Sequence, residues 1–221
     1  MIYAPGETPH GLPFDPFKSC AVPRPIGWIS TRGVDGQDNL APYSQFTNVT
    51  FAPPTVMFSA NRATDGRKKD SVVNAEATGV FGWNMATWDL REAVNLSAQE
   101  VPLGEDEFAI AGLEKTEASR IPVSLVQRSP VRFECRYLQT VTIEGEGVMG
   151  TADVIFGRVV AVHIDDGFIT PDGRIDILKA RPIARMGYYD YTSVDSLFEM
   201  IIPNSERLLA GLEGSADKAR R

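Results

Sequence analysis

The order in which strand-like and helix-like segments follow one another constrains the fold of this chain most. Strands are predicted in runs, over residues 25–31 and 55–60, and later in two long segments, VRFECRYLQTVTI and VIFGRVVAVHI. Valine, isoleucine and aromatic residues dominate these segments, as is typical of strands. Because the strands do not alternate regularly with helices, the pattern disfavours a doubly wound parallel sheet and predicts a β-barrel with peripheral helices.

Turn and capping residues indicate where the other elements lie. Asp35-Gly36 predicts a tight hairpin turn, because glycine adopts positive φ readily. The segment DSVVNAEATG predicts a short helix that Asp70 or Ser71 caps and Gly79 ends. Another helix is predicted from Thr87, and a shorter one around GEDEFAIAGL. The face of the helix from Thr87 that would be buried consists of Leu90, Ala93, Val94, Ser97 and Ala98.

Length and charge limit the classes of protein to consider. The 221 residues, 43% of them apolar, are predicted to form one domain, with a core over residues 14–203 and a polar tail over 204–221. The net charge of −7 argues against a general nucleic-acid or membrane-surface binder, since such partners require a basic face.

The cysteines and the N-terminus indicate the compartment. Cys20 and Cys135 lie far apart without a CxxC motif, so neither a metal site nor a disulfide is predicted, and Cys135 is expected to be buried. The start, MIYAPGETPHGLPF, has no basic region followed by an apolar stretch, and no segment is long and apolar enough to cross a bilayer. We expect a cytoplasmic protein.

Several common catalytic motifs are absent from the sequence. There is no GxGxxG dinucleotide fingerprint, no phosphate-binding P-loop and no GxSxG nucleophile elbow. The two histidines are His10 and His163, so a Ser/His/Asp hydrolase would depend on His163 alone. A lone histidine on a strand is more often structural, and His163 is therefore only a weak catalytic candidate.

A basic loop precedes the helix that starts near Ser71. Arg62, Arg67, Lys68 and Lys69 lie in this loop. Helix N-termini offer unpaired amides and a partial positive charge, and nearby cations would strengthen a phosphate site there. A solvated charged loop with an ordinary helix cap explains the same residues.

The segment from Asn39 to Ser44 is small and polar for a core strand. Its backbone groups could contact the edge of a flat heteroaromatic ring, with Pro42 stiffening the segment. A strand with a bulge is the alternative. Trp28, Trp83 and Trp88 are predicted in the core. Near the end of the chain, Arg185, Tyr188 and Tyr189 would either close a pocket or simply pack.

Six separated segments, in this order, resemble one known family. They are PRPIGWISTRGVDGQDNLAPYSQFTNVTFAPPTVMFSA, KKDSVVNAEATGVFGWN, DEFAIAGL, SPVRFEC, GRVVAVHI and IARMGYYDY. Together they resemble the flavin reductase-like, FMN-binding split-barrel family, and most of all its flavoredoxin-like members. The resemblance extends from Phe14 to about Pro203. It implies a Greek-key split β-barrel and a homodimer that binds FMN near the dimer interface.

The resemblance also implies a set of FMN-binding residues. Those on the ring side are Asn39, Leu40, Ala41, Pro42, Tyr43 and Ser44. The strand-end and phosphate-side residues are Ser30, Thr31, Lys69 and Ser71, and the segment after the third strand contributes Ser59, Asn61 and Arg62. Which of Arg67, Lys68 and Lys69 faces the phosphate stays open, with Lys69 favoured by position.

The function that the resemblance implies is an NAD(P)H-dependent flavin oxidoreductase, in which hydride passes from nicotinamide to flavin N5. Two alternatives stay open: an FMN electron carrier that a protein partner reduces, and a flavin-binding sensor without turnover. A monooxygenase or an electron-transfer protein is the expected partner. Phe81, Trp83 and Trp88 are predicted aromatic residues of the subunit interface.

Overall fold

The computed structural model describes residues 1–102 and 105–200. The strands are β1 (Arg24–Pro25), β2 (Gly27–Arg32), β3 (Asp38–Tyr43), β4 (Phe46–Phe51), β5 (Pro54–Asn61), β6 (Val80–Asn84), β7 (Lys115–Glu117), β8 (Ser124–Val126), β9 (Val131–Ile143), β10 (Ala152–Ile164), β11 (Ile183–Gly187) and β12 (Asp190–Ser193). The α-helices are α1 (Phe17–Cys20), α2 (Asp70–Thr78), α3 (Arg91–Leu96), α4 (Glu107–Ile110) and α5 (Ile177–Ala180), and 3₁₀ turns span Trp88–Leu90 and Asp166–Phe168. None of the helices described is long and apolar enough to cross a membrane.

A seven-stranded antiparallel sheet in the order β3-β2-β6-β9-β10-β5-β4 forms the body of the protein. Its two outermost strands, β3 and β4, follow each other in the chain with only Ser44 and Gln45 between them. This short connection holds the two sides of the sheet near each other, and the Ser59 amide of β5 donates to the Gln45 carbonyl at 2.9 Å. The sheet therefore curls into a barrel, which confirms the predicted fold class.

Local signals in the sequence fix the ends of several elements. Gly36 adopts a φ of 86° in the β2–β3 turn, and Gly79 adopts 74° directly after α2, as predicted for both glycines. The predicted strand over residues 80–84 is β6, and the long segment VRFECRYLQTVTI is β9. β9 and β10 pair along almost their whole lengths, with two register shifts that bend the hairpin.

Two apolar clusters fill the fold. The first lies inside the barrel around Phe58, Phe81 and Ile155, and a Cβ atom at Gly157 would overlap the Phe81 ring. The second lies between β2, β3 and the helices and consists of Ile26, Trp28, Leu40, Ala86, Leu90, Val94, Phe108, Val126 and Ile183. In this cluster the Trp28 indole donates to Ser97 Oγ at 2.9 Å, which fixes the chain just after α3.

Several predictions about the local structure were wrong. Residues 39–43 belong to β3, which pairs with β2 without a register shift, so the segment is neither a loop nor a bulged strand. Pro42 fits there because an outermost strand does not need every amide. Lys69, rather than Asp70 or Ser71, is the N-cap of α2, and no side chain caps that helix. The strands β4, β7 and β8 were not predicted.

The tryptophan predictions were right only in part. Trp28 and Trp83 are buried, but Trp88 is 38% exposed and lies outside the core. Phe81 and Trp83 are buried inside their own chain, which removes them as interface residues. Cys135 is fully buried, as predicted, and burial raises the pKa of its thiol. The predicted tail over residues 204–221 lies outside the described residues.

Candidate functional site

A cleft opens between the β3 strand and the start of α2. We call it the β3–α2 cleft; its volume is about 150 Å³. It is lined by Asn39, Ala41, Pro42, Tyr43, Ala63, Arg67, Lys68, Lys69, Asp70, Ser71, Ser97, Ala98, Gln99, Glu100, Val101 and Glu107. The small residues of β3 thus form one wall, and the basic loop with the helix start forms the opposite wall.

The N-terminus of α2 supplies hydrogen-bond donors to this cleft. No side chain caps the helix. Within the part of the chain that the structure describes, neither the Asp70 amide nor the Ser71 amide donates a hydrogen bond. Both residues line the cleft, so the positive end of the helix dipole faces it. This end of the cleft suits an anion.

The basic residues around the cleft are all engaged in ion pairs. Arg67 pairs with Asp65 at 2.6 Å, Lys68 with Glu76 at 2.8 Å, and Lys69 with Glu100 at 2.8 Å. Ion pairs at the surface contribute little net stability, because both partners are well solvated when separated. A phosphate could therefore replace a carboxylate partner at small cost.

A buried polar network lies beneath the cleft and fixes the orientation of Asn39. The Asn39 Nδ2 donates to Glu107 Oε1 at 2.8 Å, and the Leu40 amide donates to Glu107 Oε2 at 3.1 Å. The Asn39 Oδ1 accepts from Ser71 Oγ at 2.8 Å and from Thr31 Oγ1 at 3.3 Å. Since both ends of the amide are bonded, β3 is tied to α2 and α4 at the cleft.

Glu107 is the member of this network that the sequence did not reveal. Its segment predicted a helix and nothing more, because Asn39 and Leu40, the partners of Glu107, lie far from it in the sequence. Glu107 is buried, and burial raises the pKa of its carboxyl, while the hydrogen bonds from Leu40 and Asn39 oppose that rise.

Tyr43 closes one side of the cleft with a neutral phenol. Its ring packs against Phe58 with 5.1 Å between centroids. Burial raises the pKa of Tyr43. The phenol therefore remains protonated at neutral pH and can take part in hydrogen bonds without adding charge.

The structure brings together only part of the predicted FMN-binding set. The predicted residues that line the cleft are Asn39, Ala41, Pro42, Tyr43, Lys69 and Ser71. Thr31 lies behind them, bonded to Asn39 and Asn74. Their roles toward a cofactor stay predictions.

The side chains of the other predicted residues do not line the cleft. Ser30 is buried and accepts from Asn84 Nδ2 at 3.2 Å, and Leu40 is part of the second apolar cluster. Asn61 donates to the Met149 carbonyl, and Arg62 pairs with Asp153 at 3.3 Å. Ser44 and Ser59 do not line the cleft either.

His163 forms part of a separate polar cluster on β9 and β10. Its Nε2 lies 2.6 Å from Glu134 Oε1, and Glu134 also accepts from Ser119 Oγ, the Ser119 amide and the Arg120 amide at 2.6–2.7 Å. Burial alone would raise the pKa of Glu134, but these hydrogen bonds outweigh it and hold the pKa at about 2. His163 does not line the cleft, which favours a structural role.

Comparison with known sequences shows the family. The sequence profile described as "Flavin reductase like domain" matches residues 19–178, and the chain belongs to this family. An uncharacterized protein of Halalkalibacterium halodurans is 32% identical over 182 residues, which cover 82% of this chain and 87% of that protein.

Two solved structures are similar over most of the fold. Nitrilotriacetate monooxygenase component B from Bacillus cereus is 28% identical with a TM-score of 0.82, covering 90% of this chain and 98% of that chain. Flavoredoxin of Desulfovibrio vulgaris is 18% identical with a TM-score of 0.71, covering 84% of this chain and 94% of that chain. Split-barrel flavin proteins therefore share this architecture, as the sequence resemblance implies.

Proposed function

We propose that this protein is an FMN-dependent oxidoreductase that takes its electrons from NADH or NADPH. The observation that carries the proposal is the β3–α2 cleft, where free amides of α2 and the Lys68 and Lys69 side chains face the small residues of β3. Membership of the flavin reductase-like family supports a flavin as the ligand.

The donors at the start of α2 fit the phosphate of FMN. The Asp70 and Ser71 amides would donate to the phosphate oxygens, and Lys69 would leave Glu100 to add a charge-assisted bond. Three carboxylates, those of Asp70, Glu100 and Glu107, also line the cleft. The groups left to bind a phosphate are therefore the amides at the start of α2 and the lysine side chains.

The outer edge of β3 fits the ring of the cofactor. The Leu40 amide points to Glu107, away from β2. Backbone groups alternate in direction along a strand, so the Leu40 and Pro42 carbonyls lie on this same outer edge. These carbonyls would accept the imide N–H of the isoalloxazine ring. FMN, when bound, supplies the redox chemistry by taking up hydride at N5. The chain orients the ring and keeps water from one of its faces.

We further propose that two copies of the chain form a dimer that completes the cleft. A volume of about 150 Å³ is below the 300–1,000 Å³ that encloses most ligands of this size, so FMN would project from one chain. Apolar side chains that a second copy could cover are exposed on β4 and β9: Val49, Phe51, Leu138, Val141 and Ile143.

The dimer can be tested by light scattering of the full chain at micromolar concentration. We expect the mass of a dimer for the wild type, and mainly monomer for Phe51→Asp, since Phe51 is 62% exposed on β4. Val34→Asp changes a residue that is more exposed and lies in the β2–β3 turn, so it should stay dimeric. A monomeric wild type would contradict the proposal.

The function can be tested by an anaerobic absorbance titration of the FMN-loaded protein. NADH or NADPH should bleach the flavin spectrum in the visible region. A flavin that binds but stays oxidised with both nucleotides, and is reduced by a reduced ferredoxin, would favour an electron carrier instead. A tightly bound flavin that neither donor reduces would favour a sensor.

The phosphate site is tested separately, by a titration of FMN into the flavin-free protein that measures the FMN affinity. The double substitution Lys69→Ala and Ser71→Ala should weaken FMN binding about 10- to 100-fold, the worth of one or two charge-assisted hydrogen bonds. Lys18→Ala removes an exposed lysine from α1 and should bind FMN as the wild type does. Unchanged affinity in the double variant would contradict the phosphate assignment.

A further inference from the structure

A second concave site lies between α3 and the β11–β12 hairpin. We call it the aromatic groove, and its volume is about 240 Å³. Trp88, Tyr189 and Tyr191 line it together with Val94 and Ile183. Ser97, which follows α3 directly, lines the β3–α2 cleft instead. The two sites are therefore separate: residues of α3 line the groove, and the segment that follows α3 lines the cleft.

The hairpin between β11 and β12 presents the tyrosines of the groove. Gly187 and Tyr188 both adopt positive φ, of 93° and 47°, in the turn. Such a backbone is unfavourable for an aromatic residue such as Tyr188. The next residue of the turn, Tyr189, is 93% exposed. Arg185 supports the turn by donating to the Tyr188 carbonyl and, at 2.7 Å, to the Tyr191 hydroxyl. An exposed ring on a supported turn suits a stacking partner.

Guanidinium groups stack on the aromatic side chains of the groove. The Arg91 Cζ lies 4.2 Å and the Arg181 Cζ 4.9 Å from the Trp88 ring centroid, and the Arg185 Cζ lies 4.7 Å from that of Tyr191. A guanidinium that stacks on a ring keeps its N–H edge available for a carboxylate or phosphate. The Arg91 guanidinium donates to the Trp88 carbonyl at 2.8 Å and pairs at 3.5 Å with Glu92, which also lines the groove. The Arg181 side chain makes no hydrogen bond or ion pair to any other described residue, so its N–H groups are the more available ones.

We propose that the aromatic groove binds a small planar aromatic acid. The exposed Tyr189 ring would contact a flat face of the ligand, and Arg181 and Arg91, which stack on Trp88, would pair with its anionic group. Arg91 lines the groove, and Arg181 and Arg185 stack on rings that line it, so positive charge exceeds the single carboxylate of Glu92 in a chain of net charge −7. The volume is below that of most drug-sized sites, which limits the ligand to one or two fused rings and excludes a dinucleotide.

The charge and the ring are both needed for this recognition. A neutral aromatic amide would keep the stacking but lose the pairing with Arg181. An aliphatic ring acid would keep the charge but lose the stacking on Tyr189. The groove should therefore prefer an aromatic acid over both, and each loss should weaken binding by about tenfold.

Isothermal titration of the full-length, FMN-loaded protein with 2-naphthoate tests the proposal. We expect saturable binding to one site, and binding at least tenfold weaker for 2-naphthamide and for cyclohexanecarboxylate. A parallel titration with AMP distinguishes a phosphate-bearing ring from a carboxylate-bearing one. Binding of 2-naphthoate or AMP that is at least tenfold stronger than that of the two control compounds supports the proposed site, because both anions combine an aromatic ring with a negative charge.

Two variants locate the binding. Tyr189→Ser changes a 93% exposed side chain and Arg181→Gln keeps most of the side-chain length, so both should fold and weaken binding at least tenfold. Arg174→Gln removes an equally charged side chain outside the groove and should bind as the wild type does.

Three results would overturn the proposal. Equal binding of 2-naphthoate and 2-naphthamide would remove the role of charge. Unchanged binding in both groove variants, or binding that appears only without FMN, would place the probe elsewhere. A loss of dimer mass in both variants, without probe binding in the wild type, would make the groove a contact between copies of the chain.

Discussion

Replacing Glu134 by glutamine is expected to lower the free energy of unfolding by about 3 kcal/mol at pH 7. The carboxylate is fully buried and accepts hydrogen bonds from Ser119, Arg120 and His163. A glutamine amide has the same shape, but its N–H₂ group would face the N–H and O–H groups that now donate to the carboxylate. At least one N–H group would then be buried without an acceptor, which is costly.

The effect of Glu134→Gln should depend on pH. The folded protein holds the pKa of Glu134 at about 2, against 4.5 as the ordinary value for glutamate. Since the folded-state pKa is lowered, the ionised carboxyl stabilises the protein fully above pH 4.5. That contribution, about 3 kcal/mol for this shift, is lost as the pH falls from 4.5 to 2. The difference between wild type and variant should therefore narrow below pH 4.5.

Urea denaturation at pH 7, 4 and 3, at equal FMN saturation, measures this difference. Glu146→Gln is the matched control, because Glu146 is exposed in the turn between β9 and β10. It should change stability by no more than about 0.5 kcal/mol. A variant Glu134→Gln as stable as the wild type at pH 7, or equally less stable at pH 7 and pH 3, would contradict the assignment.

Replacing Glu107 by alanine should have the next largest effect, on both stability and FMN binding. Removal of the carboxylate leaves the Asn39 Nδ2 and the Leu40 amide buried without acceptors. We expect a loss of about 2–4 kcal/mol in the free energy of unfolding. The Asn39 side chain would also be free to rotate, which releases Ser71 at the start of α2, so FMN affinity should fall at least tenfold.

The two effects of Glu107→Ala can be separated by Glu107→Gln. Glutamine keeps the shape and one acceptor, so it should recover part of the stability. It should recover less of the FMN affinity, because its N–H₂ group can reverse the orientation of the Asn39 amide. Glu114→Ala, at an exposed position just after α4, is the control for both measurements. Wild-type FMN affinity in Glu107→Ala would show that the network does not support the site.

The sequence predicted those parts of the fold that depend on local conformation. Gly79 ends α2 and Gly36 forms the β2–β3 turn, because only the local backbone geometry decides these positions. The sequence did not predict that β3 is a regular strand. Its polar Asn39 suggested exposure but bonds within a buried network, and its Pro42 is tolerated because β3 is an outermost strand. The prediction that Phe81 and Trp83 of β6 lie at a subunit interface was also wrong. β6 lies between β2 and β9, so these aromatic residues are buried inside the chain.

The sequence predicted the residues of the candidate site that lie on β3 and at the start of α2, which carry the family segments. It did not predict the contribution of α4. Asn39, Pro42, Lys69 and Ser71 were named and do meet in one cleft. Glu107 was not, because its contact with Leu40 joins residues 67 positions apart and no local pattern reports such a contact. The carboxylate partners of the lysines were missed for the same reason.

The order of strands has a consequence for synthesis on the ribosome. β2 to β5 emerge first, yet in the sheet they form two separate pairs with β6, β9 and β10 inserted between them. The inner sides of β2 and β5 therefore have no partners until residues 80–164 have been made. Unpaired strand sides are prone to pairing with other chains. The nascent protein is thus most exposed to aggregation while its middle third is being translated, and it is at this stage that a chaperone would protect it.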